Sequence, residues 1–107
     1  MSYSVKMTAT AAQDLQDIAQ YIFRTSGEAT VAAQFIQELR EQCLSLAEYP
    51  ERGALPRDRV LLSQGYRYLV YHKDYLIFYS VDKENLSVCI KAVVHGARDY
   101  SRVLGKI

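Results

Sequence analysis

The chain predicts an α+β fold of order β-α-α-β-β-β, a helical hairpin packed on an antiparallel sheet with a short C-terminal helical turn. Three observations carry this. Apolar residues recur at helical spacing between Ala11 and Leu46. The stretch P-E-R-G-A-L-P-R-D, from Pro50 to Asp58, then breaks the pattern with its Pro and Gly. Beyond it come runs of Tyr, Val, Ile and Leu separated by polar turns, which is strand composition. Helices grouped ahead of an antiparallel meander bury their common apolar stripe against one sheet face.

Each element follows from its own residues. Ser2 to Met7 (S-Y-S-V-K-M) alternates loosely and reads as a short opening strand. Thr8-Ala9-Thr10 leads into the first helix, with Thr10 and Gln13 spaced as a capping box. Ala11, Leu15, Ile18, Ala19 and Ile22 share one helix face, while Gln13, Asp14, Gln16, Asp17 and Gln20 fill the other. Gly27 ends the helix near Thr25-Ser26. A second helix starts around Glu28-Ala29 with a stripe of Ala32, Phe35, Ile36, Leu39, Cys43 and Leu46, and Tyr49-Pro50 stops it. The short link between the two implies an antiparallel pair.

Gln64-Gly65 then turns the chain into Tyr66–Tyr71 (Y-R-Y-L-V-Y). His72-Lys73-Asp74 connects to Tyr75–Val81, and Asp82-Lys83-Glu84-Asn85 connects to Leu86–His95. Alternation in the last strand puts Leu86, Val88, Ile90, Ala92 and Val94 on one face, and Ser87, Cys89, Lys91, Val93 and His95 on the other. Gly96 ends it, and Asp99 or Ser101 is placed to cap the closing turn.

With 107 residues, 50% of them apolar, the chain reads as a single domain, 1–107, that needs no disulfide or metal to hold it. It has no run of about 18 apolar residues for a membrane span and no signal-peptide pattern at its start. Cys43 and Cys89 lie far apart in apolar runs and read as buried reduced thiols, which fits a cytoplasmic protein. Thirteen Lys and Arg against twelve Asp and Glu give a net charge of +1. That is not the basic footprint of a protein living on nucleic-acid phosphates. The small sum hides an asymmetry: residues 8–51 carry two arginines against seven acids, net −5, whereas 65–107 carry seven bases against four acids, net +3.

No phosphate-binding loop, zinc spacing, nucleophile elbow or Cys-x-x-Cys pair is present, and no metal or cofactor is implied. What remains is a group near the predicted sheet end: Arg67, Tyr68, Tyr71, His72, Tyr75, His95, Arg98, Asp99 and Tyr100. His95 reads two ways, as a general base beside Arg for attack on a phosphodiester, or as a sheet-end histidine bonded to backbone. Arg98-Asp99 reads as an anion- or partner-binding pair, or as a structural pair at the last helical turn. Arg52, Arg57, Arg59 and Arg67 against Asp58 make residues 52–72 net +3, a basic edge or a set of solvated loop cations. Nine of the aromatics are Tyr; those at 66, 68, 71, 75 and 79 alternate as strands require and read first as packing, with base stacking as the alternative.

Taken in order, the motifs resemble the RelE/ParE superfamily, the toxins of type II toxin–antitoxin modules, and most closely its ParE branch. The resemblance rests on A-x-x-D-L-x-x-I-x-x-Y-I (Ala11 to Ile22), A-x-x-F-I (Ala32 to Ile36), and Leu46, Pro50 and Gly53 at L-x-x-x-P-x-x-G spacing. It continues through G-Y-R (Gly65 to Arg67), Y-L-I-F-Y (Tyr75–Tyr79) and V-V-H-G-A-R-D (Val93–Asp99). RelE-like members are ribosome-dependent mRNA endoribonucleases; ParE-like members are non-enzymatic poisons of DNA gyrase that serve plasmid stabilisation and growth arrest. Leu69, Leu76 and Leu104 stand where RelE-like nucleases place Lys, Arg and a C-terminal Tyr. The resemblance therefore implies a cytoplasmic gyrase inhibitor neutralised by a cognate antitoxin, with Arg67, Arg98, Tyr100, Arg102 and Lys106 contacting the target. The alternative it leaves open is a YoeB-like ribonuclease acting on ribosome-bound mRNA through Arg67, His95, Arg98 and Tyr100.

Overall fold

The helical hairpin forms where the apolar spacing demands it, and its caps define its length. A computed structural model describes residues 2–96 of the chain. Strand β1 spans Ser4–Met7 and helix α1 spans Ala9–Ser26. The N-cap of α1 is Thr8, not Thr10: the Thr8 hydroxyl accepts from the Ala11 N–H at 3.0 Å, two residues earlier than the predicted capping box. Gly27 ends the helix in the left-handed region (φ 74), its N–H donating to the Phe23 carbonyl at 2.8 Å. Helix α2 (Ala29–Leu44) begins at Glu28 as expected but gives way to a 3-10 turn, Ser45–Ala47, before Tyr49-Pro50 is reached.

Between the predicted loop, which ends at Asp58, and the Gln64-Gly65 turn lies a third helix for which the sequence pattern makes no assignment, α3 (Arg59–Ser63). The Asp58 carboxylate caps it by accepting from the N–H groups of Val60 and Leu61 at 2.9 and 3.0 Å. Strands β2 (Tyr66–Tyr71), β3 (Tyr75–Asp82) and β4 (Ser87–His95) follow. Leu86, expected to open β4, instead lies in the left-handed region (φ 50) at the end of the turn. His72 and Lys73 in the β2–β3 connection have positive φ as well, 50 and 64.

The sheet runs β1-β4-β3-β2. Its meander is antiparallel as predicted, and β1 joins it parallel to β4, so the whole sheet is mixed. Both sheet faces are covered. The helical hairpin packs Ala11, Leu15, Ile18, Leu39, Cys43 and Leu46 against Tyr71, Tyr75, Ile77, Tyr79, Val88, Ile90 and Val93. On the opposite face, Leu61 of α3 plugs a smaller cluster of Phe78, Ala92 and Val94. Among the described residues, no helix is long and apolar enough to cross a membrane.

The predicted faces of β4 hold only up to Ile90. Phe78 pairs with Ala92 and Tyr79 with Ile90, so Lys91 is an extra residue, a β-bulge that reverses the alternation. Val88 and Ile90 face the hairpin, whereas Ala92 and Val94 face α3, and Val93 joins the hairpin core.

Cys43 is buried in that core, and burial pushes its thiol up to about 11, with Arg40 opposing weakly. A raised thiol pKa leaves stability untouched below the unfolded value of 9.0 and removes it as pH climbs from there toward 11, where only the unfolded chain ionises readily. The expected loss over that window is roughly 2 kcal/mol. Urea denaturation at pH 8 and 10.5, compared with Cys43→Val, measures it: the variant should lack this part of the alkaline slope.

Candidate functional site

Two polar constellations flank the hairpin face, one at each end of β3. At the first, the loop after α2 crosses the start of β2. Gly53 donates its N–H to the buried Tyr79 hydroxyl at 2.9 Å, and Ala54 exchanges two backbone bonds with Tyr68, at 2.9 and 3.0 Å. Arg67 reaches over this loop, donating to the carbonyls of Gly53 at 2.9 Å and Glu51 at 3.2 Å. Its guanidinium lies 3.6 Å from the Glu51 carboxylate, which also meets Lys83 at 3.3 Å. Arg52 ties the same loop to the end of α2, donating to the carbonyl and side-chain oxygens of Gln42 and to the Ser45 hydroxyl. A cation there also complements the negative end of the helix dipole. Burial pushes the Tyr79 hydroxyl above its ordinary range, against the opposing Gly53 hydrogen bond and the nearby Arg67 and Arg52, so it stays protonated.

At the other end, aromatic rings gather beneath α2. Phe35 meets Tyr71, His72 and Tyr75 with centroid separations of 5.2, 5.1 and 5.6 Å. The Tyr71 hydroxyl donates to the Phe35 carbonyl at 3.1 Å. Burial, then the acids Glu38 and Glu41, raises the pKa of this hydroxyl. His95 ends β4 edge-on to Tyr75 at 5.7 Å, and its Nδ1 is buried with no hydrogen-bond partner among the described residues.

The expected site residues are thus only partly brought together. Tyr71, His72, Tyr75 and His95 cluster as the sequence reading grouped them. Arg67 does not join them. It pairs in register with Tyr79, whereas His95 pairs with Tyr75, four positions along β3. At about 3.3 Å per residue that is a separation of roughly 13 Å along the strand. Tyr68 faces the α3 side with Phe78, ring centroids 5.8 Å apart. Arg98, Asp99, Tyr100, Arg102 and Lys106 lie outside the described residues, as does the predicted closing turn. Arg57 and Arg59 are exposed around the start of α3, while Arg52 and Arg67 are committed to the loop.

One polar residue was assigned to the wrong face. Asp14, expected on the solvent side of α1, is buried, and its Oδ2 accepts from the Val93 N–H at 2.9 Å. The signal available in sequence was its spacing: three residues after Ala11 and four before Ile18, inside the apolar stripe. Among the described residues, no group of three or more His, Cys, Asp or Glu side chains could hold a metal ion.

Comparison with known proteins places this architecture. The chromosomal ParDE TA system from P. aeruginosa superposes with a TM-score of 0.72 at 23% identity, covering 88% of this chain and 96% of that one. The RelBE2 toxin-antitoxin complex from Mycobacterium tuberculosis gives 0.64 at 24% identity, over 89% and 92%. A mutant of the E. coli toxin RelE in the free state gives 0.63 at 19% identity, over 100% and 99%. These likenesses establish the RelE/ParE fold. No curated protein matches the chain. The model of the family described as ParE toxin of type II toxin-antitoxin system, parDE, matches residues 5–100. A match over that span decides the branch: this chain belongs to the ParE toxin family of type II toxin–antitoxin systems.

Proposed function

We propose that the chain arrests growth by binding DNA gyrase as a protein ligand, and that a cognate antitoxin neutralises it. The observation that carries the choice over mRNA cleavage is the separation of Arg67 from His95. Cutting RNA at a 2′-hydroxyl needs a base and a phosphate-binding cation within reach of one scissile group. Here the described cation and histidine stand roughly 13 Å apart along β3, and Arg67 is spent on the Glu51 and Gly53 carbonyls. Leu69 and Leu76, where RelE-like nucleases place cations, pack against the two apolar clusters instead. Target contact is proposed for Arg98, Tyr100, Arg102 and Lys106, with the exposed part of Arg67 at the margin.

For the antitoxin, the two sheet edges differ in receptivity. Strand β1 is only four residues long and carries the exposed Lys6, and the N–H just before it, that of Tyr3, is bonded to the Ala47 carbonyl at 2.8 Å. Those are features that discourage strand pairing. Strand β2 has neither Lys nor Pro. Tyr68 turns its backbone outward to Ala54, so Val70, two residues on and 60% exposed, turns its own outward as well. Val60 and Leu62 on α3 are exposed too, with Arg57 and Arg59 close by in sequence. An extended apolar segment bearing acidic residues fits that edge by strand addition.

Purified toxin added to a gyrase supercoiling assay, with primer extension on mRNA after induction in cells, tests the proposal. Inhibited supercoiling and intact mRNA are expected. Arg98→Ala or Arg102→Ala should weaken the inhibition severalfold or more while the protein still melts cooperatively. Codon-phased cleavage with unaffected gyrase would overturn the proposal in favour of the nuclease set Arg67, His95, Arg98 and Tyr100. Unhindered growth without antitoxin would instead mean that toxicity has been lost.

A further inference from the structure

Strand β1 stops at Met7, opposite Ile90, so among the described residues β4 runs on from Lys91 to His95 without a neighbouring strand on that side. Backbone groups left facing an absent strand must find other partners if buried. Here helix α1 and its cap supply them. The Thr8 N–H donates to the Ile90 carbonyl at 3.0 Å, and the Thr8 hydroxyl donates to the Lys91 carbonyl at 3.0 Å. One helical turn and a half further on, the buried Asp14 carboxylate accepts from the Val93 N–H at 2.9 Å. These contacts bracket the bulge at Lys91, the one irregularity in the β3–β4 register.

The bulge decides where the end of β4 points. Without the extra residue, the alternation that buries Ile90 on the hairpin side would put Val94 there and turn His95 to the α3 side. With it, Val93 packs in the hairpin core and His95 lies edge-on to Tyr75. The chain then leaves through Gly96, whose N–H donates to the Asp74 carbonyl at 2.7 Å.

We propose that Asp14 and Thr8 are positioning residues that strap the β4 bulge and thereby set the sheet face on which β4 ends at His95 and Gly96, just ahead in sequence of the residues proposed for target contact. The inference rests on the toxin reading above and assigns to α1 a part in target action, beyond filling the core. Neither residue touches the target; they act through Lys91 and Val93.

Asp14→Leu keeps the branched outline of the side chain, though it is bulkier, and removes the acceptor, whereas Asp14→Asn keeps the size and an oxygen that can accept from Val93. Thr8→Val removes the hydroxyl while keeping its shape. At matched levels of folded protein, Asp14→Leu is expected to melt cooperatively, to speed amide exchange at Val93 roughly tenfold or more, and to lose growth arrest. Asp14→Asn is expected to restore growth arrest, and Thr8→Val to weaken it with a fold that still melts cooperatively. A folded Asp14→Leu or Thr8→Val variant that arrests growth like the parent would overturn the proposal. So would an Asn variant as harmless as the Leu variant, or a Leu variant that fails to fold while Thr8→Val is fully toxic. A parent chain that fails to arrest growth would count against the toxin reading alone, since Val93 exchange still reads the strap directly.

Discussion

Gly53→Ala is expected to destabilise the protein by about 2–3 kcal/mol, with the overpacking confined to one buried contact. A Cβ at this position would overlap the Tyr79 hydroxyl and lie 2.8 Å from the Tyr68 carbonyl oxygen and 2.9 Å from Tyr79 Cε1. None of these can retreat cheaply. The Tyr79 ring is wholly buried, and the Tyr68 carbonyl is held by the Ala54 N–H. Relief therefore requires the loop to lift, which breaks the Gly53–Tyr79 bond and loosens the grip of Arg67 on the Gly53 carbonyl. Tyr79→Phe alone is expected to cost about 1–3 kcal/mol, because it leaves the buried Gly53 N–H without its acceptor. In that background Gly53→Ala has lost one of its collisions and should cost less, with a coupling of about 1 kcal/mol between the two changes. Urea denaturation of the parent, both single variants and the double variant measures the coupling. Strict additivity would show that the loop does not rest on Tyr79 in the way described.

Phe78→Ala should be costlier, about 3–5 kcal/mol, because the site cannot collapse. Phe78 is fully buried between the sheet and α3, touching the cluster of Leu61, Ala92 and Val94, with Tyr68 packed beside it. A helix of five residues has little stability of its own, so α3 depends on Leu61 finding this partner. The loss approaches a third or more of the 5–15 kcal/mol available to an ordinary domain. Val70→Ala, at an exposed position two residues from Tyr68 on the same strand face, is expected to change stability by less than about 0.5 kcal/mol. Thermal melts of the two variants give the comparison. Hydrogen exchange should show the amides of α3 opening first in Phe78→Ala. Equal stability of the two variants would mean that the second sheet face contributes no core.

The parts of the fold that could be read in advance share a property: their determinants are local and periodic. The stripe from Ala11 to Ile22, the stop at Gly27 and the start at Glu28 depend on neighbours within a few positions, and the hairpin appeared as expected. The strands from Tyr66 onward were legible for the same reason. What was missed is short or non-periodic. Helix α3 is held by one cap and one plug, Asp58 and Leu61, too few residues for a period to emerge. The cap of α1 moved from Thr10 to Thr8 because both positions suit the chemistry, and the hydrogen bond from Thr8 to Lys91, 83 residues away, favours the earlier one.

The candidate site divides along the same line. The aromatic and histidine cluster at Tyr71, His72, Tyr75 and His95 was anticipated because three hairpin-linked strands place those residues at one sheet end. The commitment of Arg67 to Glu51 and Gly53 was not, since it arises from a loop folding back across fourteen and sixteen residues. Asp14 was misjudged because a carboxylate is assigned to solvent by default, and only a partner distant in sequence reverses that.

Sequence alone therefore determined the α+β class, the order of the main elements and the resemblance to the RelE/ParE toxins, all of which rest on local pattern and ordered motifs. Tertiary structure decided which groups meet. It brought β1 in parallel beside β4, placed the bulge at Lys91 against Thr8 and Asp14, and set Arg67 at the far end of β3 from His95. The physical reason is that a buried polar group is settled by whichever partner satisfies it in space, and nothing in the period of a helix or strand encodes that partner.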